Sequence, residues 1–571
     1  MTAVEGSRAM GDASSRCPLT VVVRVNGHRP AAWVASCVRF LAESKHIRLA
    51  AVLLDDRPTA QRPSDPDSRP RLDGDAPRVI TALDRLIALH STGRMPDPLV
   101  ATEIDDVLAA FHPVVVDQLS VGGARDCVSA IAPDIVVDLT PPGHPPLSLA
   151  AQPRYGVWSY RFHAFGADDL RGVARLETIR RTTLTGFEVI TSPAFQQRGS
   201  CVAEAVVLTG SVSAMQNRAQ TLWSAAPLMS QAIGHFALTG RMRLNSSASD
   251  SVPVADDVPE GPRLGAAIAL HCGRVFMEAC RRTILRDQWV LVADEINQLP
   301  DSLHGPRYLL DPGPQRYWAD PCVVEHDGSS YVFAEEFPYD TRRGRIVVLD
   351  IHRLSSRPTC QVVLDEPWHL SYPFVFSWQG DYYMLPECSE TGELRLYRCV
   401  TFPKDWRFER TVMTGVRGFD GTLLQHDGRW WLFLAVAHFP WTVSAHELNV
   451  YWTDDPVHGN WHAHPHNPVC LDARCSRPGG GFLHAGERLL RVGQDASEGY
   501  GSGLCLLEVT QLTDTEYEEH QIAVVRSRWL KGFLGTHTLA TSGAHRVMDV
   551  RRRISRLQRT HAGSQDRIRS E

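Results

Sequence analysis

Five times between residues 320 and 550 the chain passes through an apolar strand, a turn ending in glycine and a second apolar strand. The copies are DPCVVEHDGSSYVFAEE, YPFVFSWQGDYYMLPE, DGTLLQHDGRWWLFLA, PGGGFLHAGERLLRVGQD and GTHTLATSGAHRVMDV, with turn glycines at Gly328, Gly380, Gly428, Gly486 and Gly543. Successive glycines stand 52, 48, 58 and 57 residues apart. One hairpin per period of about 50 residues is the mark of four-stranded propeller blades, whereas a β-sandwich has no reason to repeat one hairpin so evenly. The sequence therefore predicts an all-β five-bladed β-propeller over 288–555, with the strand around Trp289 (QWVLVADE) closing the ring against the last blade.

A propeller of that size leaves half of the 571 residues unassigned, more than one core usually holds. A hydrophobic content of 43% with 14 Trp describes a chain able to bury two cores. In the first half, apolar strands at 19–26, 47–54 and 131–139 and a helical spacing of Trp33, Val34, Cys37, Val38 and Leu41 over 30–44 argue for an α/β domain at 18–244, a parallel sheet covered by helices. Residues 1–17 read as a disordered leader, 58–77 as a mobile loop, 245–262 as a linker and 556–571 as a basic tail. Between linker and propeller, 263–287 reads as an amphipathic helix, with Arg274, Arg281, Arg282 and Arg286 away from Ile268, Val275, Phe276 and Ala279. Such a helix packs between domains or lies on an anionic membrane surface.

A net charge of −6 gives no basic footprint for nucleic acid. The first residues contain no apolar signal region and no run of about 18 apolar residues occurs, so the expectation is a cytoplasmic protein. Thirteen Cys, an odd number without a framework, predict reduced thiols. No phosphate-binding loop or dinucleotide fingerprint appears, and no cofactor is expected.

Aligning the repeats on their glycines gives columns. Eight residues before each glycine stand Asp320, Tyr372, Asp420, Pro478 and Gly535, at the start of each blade's innermost strand, where side chains converge on the channel. Seven residues after it stand Glu335 and Glu387, with Asp495 and Asp549 close to that column. Cleaving or transferring a glycosyl group needs one carboxyl to protonate the leaving oxygen and another to act as base or nucleophile. Crowding the carboxyls raises one pKa and so supplies the acid. Asp320 and Asp420 form the first expected pair, Glu335 and Glu387 the second, while Trp318, Tyr372, Trp430 and Trp431 offer faces for a sugar ring. The opposing reading makes the same residues structural, the carboxylates held by Arg345, Arg395 or Arg477 and the aromatics filling the inter-blade core. His462, His464 and His466 with Cys470 and Cys475 could ligate zinc, but Pro465 and Pro468 argue for an irregular edge, and no metal is expected.

The stretches YWADPCVVEHDGSSYVFAEE (317–336), HLSYPF (369–374), FDGTLLQHDGRWWLFL (419–434) and RPG (477–479) resemble the propeller in the N-terminal part of plant glucosamine inositolphosphorylceramide transferases and related bacterial proteins, and more distantly five-bladed glycosidases of the arabinanase and invertase type. The resemblance implies a carbohydrate or glycoconjugate substrate, with His369 and Arg477 beside it. Asp320-Pro321 matches the glycosidases' first-blade Asp-Pro base or nucleophile, and His537 their last-blade His on the channel axis. Tyr372 replaces their second-blade Asp, and Asp420 stands where a Glu acid would, so transfer is expected rather than hydrolysis. The alternative is a non-catalytic sugar-binding scaffold. Residues 18–240, especially YGVWS (155–159), resemble a formyltransferase-type domain of the Rossmann kind. Its catalytic His is displaced to His163, and no Asp-Ala-Gly-like loop follows in 178–192, so the resemblance implies a degenerate domain used for docking or for binding a different ligand. Formyl or acyl transfer would require His163 to face a pocket.

Overall fold

The computed structural model describes residues 17–57, 95–116, 121–162, 182–241, 261–295, 307–351, 358–558 and 567–568, together with 170, 173–174 and 178–179, with short breaks at 142–143, 146, 148, 150–151, 193–199, 211–212, 443–445, 527–531 and 544. His163, the expected leader apart from Cys17, the 58–77 loop and nearly all of the 245–262 linker lie outside the described residues.

The first half folds around a seven-stranded sheet of β1 (Leu19–Val25), β2 (Ile47–Leu54), β3 (Val114–Val116), β4 (Ile135–Asp138), β5 (Val157–Phe162), β6 (Leu184–Ser192) and β7 (Ser200–Leu208). The order is β3-β2-β1-β4-β5-β6-β7. The first five strands pair in parallel and the last two antiparallel. Buried Val, Ile and Leu dominate β1 and β2, as covering a parallel sheet on both faces requires. The helix Ala32–Glu43 turns Trp33, Val34, Cys37, Val38 and Leu41 onto the sheet. The strand expected over 131–139 is shorter, because Ile131 ends the helix Val121–Ile131 and only Ile135–Asp138 pairs. Ala-Pro at 132–133 disfavours helical continuation and separates the two elements.

An open α/β sheet offers its ligand crevice outside the carboxyl ends of the strands, where the order reverses, here between β1 and β4. Arg24, 1% exposed, fills that place. It donates to Asp55 Oδ2 at 2.6 and 3.0 Å and to Asp138 Oδ2 at 2.8 Å, and the Pro145 carbonyl accepts from it. Burial alone would raise the Asp55 carboxyl, but hydrogen bonds from Arg57 and Arg24 hold it well below the usual carboxylate range.

The second half is the five-bladed β-propeller. Four sheets of four consecutive strands follow one another, beginning at Arg316–His326, Ser371–Trp378, Arg417–His426 and Leu483–Ala485. The fifth blade takes Leu539–Ser542 and His545–Ser555 from the end of the chain and Leu285–Glu295 from before the first blade. Eleven antiparallel pairs, from His545 with Glu295 to Ser555 with Leu285, close the ring. Asp327-Gly328, Gln379-Gly380 and Asp427-Gly428 all have positive φ in two-residue hairpins. That is the type I′ geometry whose twist suits antiparallel strands.

The α/β domain sits on one face of the ring. Phe439 and Trp441, in the loop after the second strand of blade three, and Leu471, before blade four, pack into its core, and Trp223 meets both rings at centroid distances of 4.9 and 5.3 Å. Val206 donates to the Leu471 carbonyl and accepts from Ala473, each at 2.9 Å. Loops of this kind open on the face where the innermost strands begin, so the domain packs against the mouth face at blades three and four.

Candidate active site

Asp320, Tyr372 and Asp420 have φ of 52, 43 and 51°, and strand pairing slips at each, between Ala319 and Cys322, Ser371 and Phe374, and Phe419 and Thr422. Each innermost strand of blades one to three thus carries a bulge at the expected column, a device that re-aims a side chain. Holding a non-glycine residue in that region costs on the order of 1 kcal/mol or more per site, which the surrounding hydrogen bonds must offset.

Three carboxyl groups, Asp420, Asp320 and Asp549, are held chiefly by cations. Arg477 makes a bidentate pair with Asp420, its Nε donating to Oδ2 and its Nη2 to Oδ1 at 3.2 Å, and reaches Glu387 Oε2 at 3.5 Å. Gln494 Nε2 adds a 2.7 Å bond to Asp420 Oδ2. His537 lies between two aspartates, Nε2 at 3.4 Å from Asp320 Oδ1 and Nδ1 at 2.6 Å from Asp549 Oδ2. The second contact lacks the direction of a hydrogen bond, so it is ionic in character. Burial alone would lower the His537 pKa, but Asp549 and Asp320 raise it and favour the imidazolium. Its ring stacks on Trp289 at 4.2 Å and 19°. Thr538 Oγ1 donates to Asp320 Oδ1 at 2.9 Å.

The other two carboxyls are held near the neutral form. Glu335 accepts from the Tyr317 hydroxyl at 3.1 Å and lies 3.4 Å from His369 Nε2. Because His369 Nδ1 accepts from the Gly344 amide at 3.0 Å, its Nε2 carries the proton. Glu387 accepts from Ser389 Oγ at 3.0 Å. Burial, then Asp320, pushes Glu335 well above the carboxylate range, and burial, then Asp420, pushes Glu387 up to about 8. Burial raises Asp320 to about 6, against the pull of His537. Five carboxyl groups therefore face two cations, Arg477 and His537, and the surplus favours protons on Glu335 and on Glu387, which Arg477 reaches only at 3.5 Å.

Of the expected site residues, Asp320, Glu335, Tyr372, Glu387, Asp420, Arg477 and His537 are tied together by these contacts and mutual charge effects, with His369 bonded to Glu335. Asp420 is one of the central acids, with both of its oxygens engaged by Arg477 and Gln494. Asp495 is turned elsewhere, toward Arg526 and the Ser497 amide at 3.4 and 2.9 Å. Trp318, Trp430 and Trp431 offer no face to a sugar, being 5, 6 and 2% exposed within the blade cores. Trp430 and Trp431, adjacent and so on opposite faces, are both buried because their strand is covered by a neighbouring blade on each side. Arg345 pairs with Glu336 and Arg395 with Glu393, outside the central group. Tyr500, unremarked in the sequence, is the aromatic open at the mouth: it is 40% exposed, meets His537 edge-on at 5.5 Å and lies under the Arg477 guanidinium at 5.6 Å. Its GYGSG loop was the available signal.

Asp320, His537 and Asp549 offer three ligand atoms within 4.8 Å of one another, the only such cluster among the described residues. An imidazolium cannot ligate, so a cation there would have to displace the His537 proton. In the other histidine cluster His464 is spent on the backbone, Nδ1 accepting from His466 and Nε2 3.1 Å from the Thr513 carbonyl, and Cys470 and Cys475 lie 3.6 Å apart as thiols. Below the bulges, the second halves of the innermost strands enclose a cavity of about 260 Å³, lined by residues such as Val323, Val375, Leu424, Phe482 and Thr541.

Residues 311–552 match the family model described as glucosamine inositolphosphorylceramide transferase 1, N-terminal. Glucosamine inositolphosphorylceramide transferase 1 of Arabidopsis thaliana is 34% identical over 214 residues, covering 37% of this chain and 28% of the relative. That of Oryza sativa subsp. japonica is 34% identical over 209 residues, covering 36% and 28%. The chain thus spans just over a quarter of the length of the curated relatives it matches. Solved structures with similarity include a family 117 glycoside hydrolase of Zobellia galactanivorans, at 13% identity over 37% of this chain and 71% of that one with a TM-score of 0.30. Another is a xylose-complexed GH43_1 enzyme of Xanthomonas citri, at 13% identity over 42% and 87% with a TM-score of 0.31.

Proposed function

We propose that the mouth of the propeller transfers a glycosyl group from a sugar or glycoconjugate donor to an acceptor hydroxyl. The observation that carries this reading is the crowding of buried carboxyls at one mouth, with Arg477 clamped on Asp420 and His537 beside Asp320, which pushes Glu387 up to about 8 and leaves Asp320 lower, at about 6. Glu387 gives its proton to the oxygen leaving the anomeric carbon as the glycosidic bond breaks. Asp320 takes the proton of the incoming hydroxyl as the new carbon–oxygen bond forms. Asp420, clamped by Arg477, keeps the Glu387 pKa high, and Tyr500 presents a face to the sugar. The name of the plant relatives, a transferase of a glycosylated lipid, supports a glycoconjugate as substrate class. In the α/β domain, Arg24 occupying the strand-end crevice supports docking rather than one-carbon transfer.

The test is turnover of glycosides with leaving groups of different basicity, with products followed by mass spectrometry in the presence of alcohol acceptors. Glu387→Gln is expected to lower kcat by about 10²-fold or more with alkyl leaving groups, and far less with dinitrophenol, which departs without a proton. Asp320→Asn is expected to lower both. Full activity in both variants overturns the assignment. A second reading, sugar binding without turnover, is favoured by the Arg477 clamp on Asp420 and Glu387; it predicts a sugar-dependent rise in melting temperature with no product.

A further inference from the structure

The helix Gly261–Ile284 runs into the closing strand of the ring, and its free face is its apolar one. Leu270, Met277 and Ile284, spaced by seven, are 66, 69 and 59% exposed, and Phe276 beside them is 70% exposed. Ile268 and His271, 8 and 1% exposed, take the opposite side, and Arg274 holds the helix to the α/β domain through the Ile179 carbonyl at 2.8 Å. Phe276 and Ala279 therefore do not share a packed side with Ile268, as the sequence suggested. At 100° per residue, the outward side is an arc of roughly 140° without a charged residue, about 21 Å long from Leu270 to Ile284. A helix packed only between domains in water would turn this arc inward.

Charge surrounds the arc with one sign. Segments 261–288 and 551–557 hold nine arginines against Glu278 and Asp287, in a chain whose net charge is −6. Glu278 and Asp287 are already engaged by Arg281, Arg282 and Arg553. Arg556 donates to the Arg282 carbonyl at 2.7 Å and so brings the residues after the closing strand, with Leu557 at 86% exposure, beside the helix terminus. Arg263, Arg282, Arg553 and Arg556 are exposed. This edge of the molecule lies at the mouth, since Arg286 covers the ring of Tyr339, in the loop after the second strand of blade one, at 4.4 Å.

We propose that this helix, with the arginines around its C-terminal end, docks the protein on a membrane surface containing anionic lipid, lying in the headgroup region with Leu270, Phe276, Met277 and Ile284 inserted. Apolar insertion and attraction to anionic headgroups are the two signals that interfacial binding combines. No helix among the described residues is long and apolar enough to cross a membrane. The inference stands apart from the chemistry at the mouth.

The experiment is co-sedimentation of the full chain with vesicles of phosphatidylcholine alone or with 30% phosphatidylglycerol, at ~50 and ~300 mM salt, the range over which screening acts on such contacts. Binding to the anionic vesicles, weakened by salt, is expected, with a tenfold or larger loss for Phe276→Ser with Met277→Ser and a loss for Arg553→Glu with Arg556→Glu. Both pairs are exposed, and an unchanged melting temperature confirms folding. Equal sedimentation of wild type and both variants overturns the proposal. So does a wild-type dimer in solution that the serine pair converts to monomer without any vesicle binding, which would make the arc an interface between copies.

Discussion

Glu387 ionises near 4.5 in an unfolded chain and near 8 in the folded one, so its proton links stability to pH. Below about pH 4.5 it is protonated in both states. Between the two values the folded state holds a proton that the unfolded state has lost, so stability falls as pH rises, until about pH 8. Asp320 acts in the same direction between 3.8 and about 6. Glu387→Gln removes the first linkage, so its melting temperature relative to wild type is expected to gain about 2 °C or more between pH 5 and pH 8 in calorimetric scans; an unchanged difference would contradict the assigned burial. Arg477 works the other way, compensating Asp420 where that side chain is 1% exposed. Arg477→Met is expected to cost about 3–5 kcal/mol by leaving a buried charge unpaired. Asp420→Asn in the same chain should restore part of it, as read by urea denaturation.

At the scale of strands and turns, two glycines that look alike in sequence separate. Gly428 closes an Asp-Gly hairpin with φ of 75° and open space around its absent side chain. Gly428→Ala is therefore expected to cost about 1–2 kcal/mol, from backbone strain alone. Gly480, with φ of 139°, lies against the Leu539 carbonyl of the neighbouring innermost strand. Gly480→Ala cannot be placed without parting blades four and five, and a larger loss is expected in the same denaturation series. The turns were legible because Asp327-Gly328 and Asp427-Gly428 announce their geometry in two residues, and the repeat fixed the blade count. The bulges were not, since the strand is buried on both faces around the slip between Ala319 and Cys322 and carries no alternation whose phase a bulge could reverse. The column of Asp320, Tyr372 and Asp420 could therefore be found without knowing what turned it toward the mouth. Trp318 shows the opposite failure: an aromatic beside the column suits a sugar platform and a blade core equally, and only strand register decides.

Across the whole molecule, each half lends the other part of its interior. Phe439, Trp441 and Leu471 belong to the propeller by sequence and to the α/β core by packing. A propeller made from residue 285 onward is expected to self-associate in light scattering, and Phe439→Ser with Trp441→Ser to reduce that association; a monodisperse unmodified fragment would contradict the shared core. The ring's last blade draws on both ends of the propeller segment, with Leu285–Glu295 waiting for His545–Ser555. Translation therefore finishes neither half early. The first domain leaves the ribosome by residue 241 but lacks Leu471 until roughly 230 residues later, a delay of about 10–50 s at ordinary elongation rates. The nascent chain therefore carries an open apolar surface through that interval, which is where aggregation during synthesis would begin.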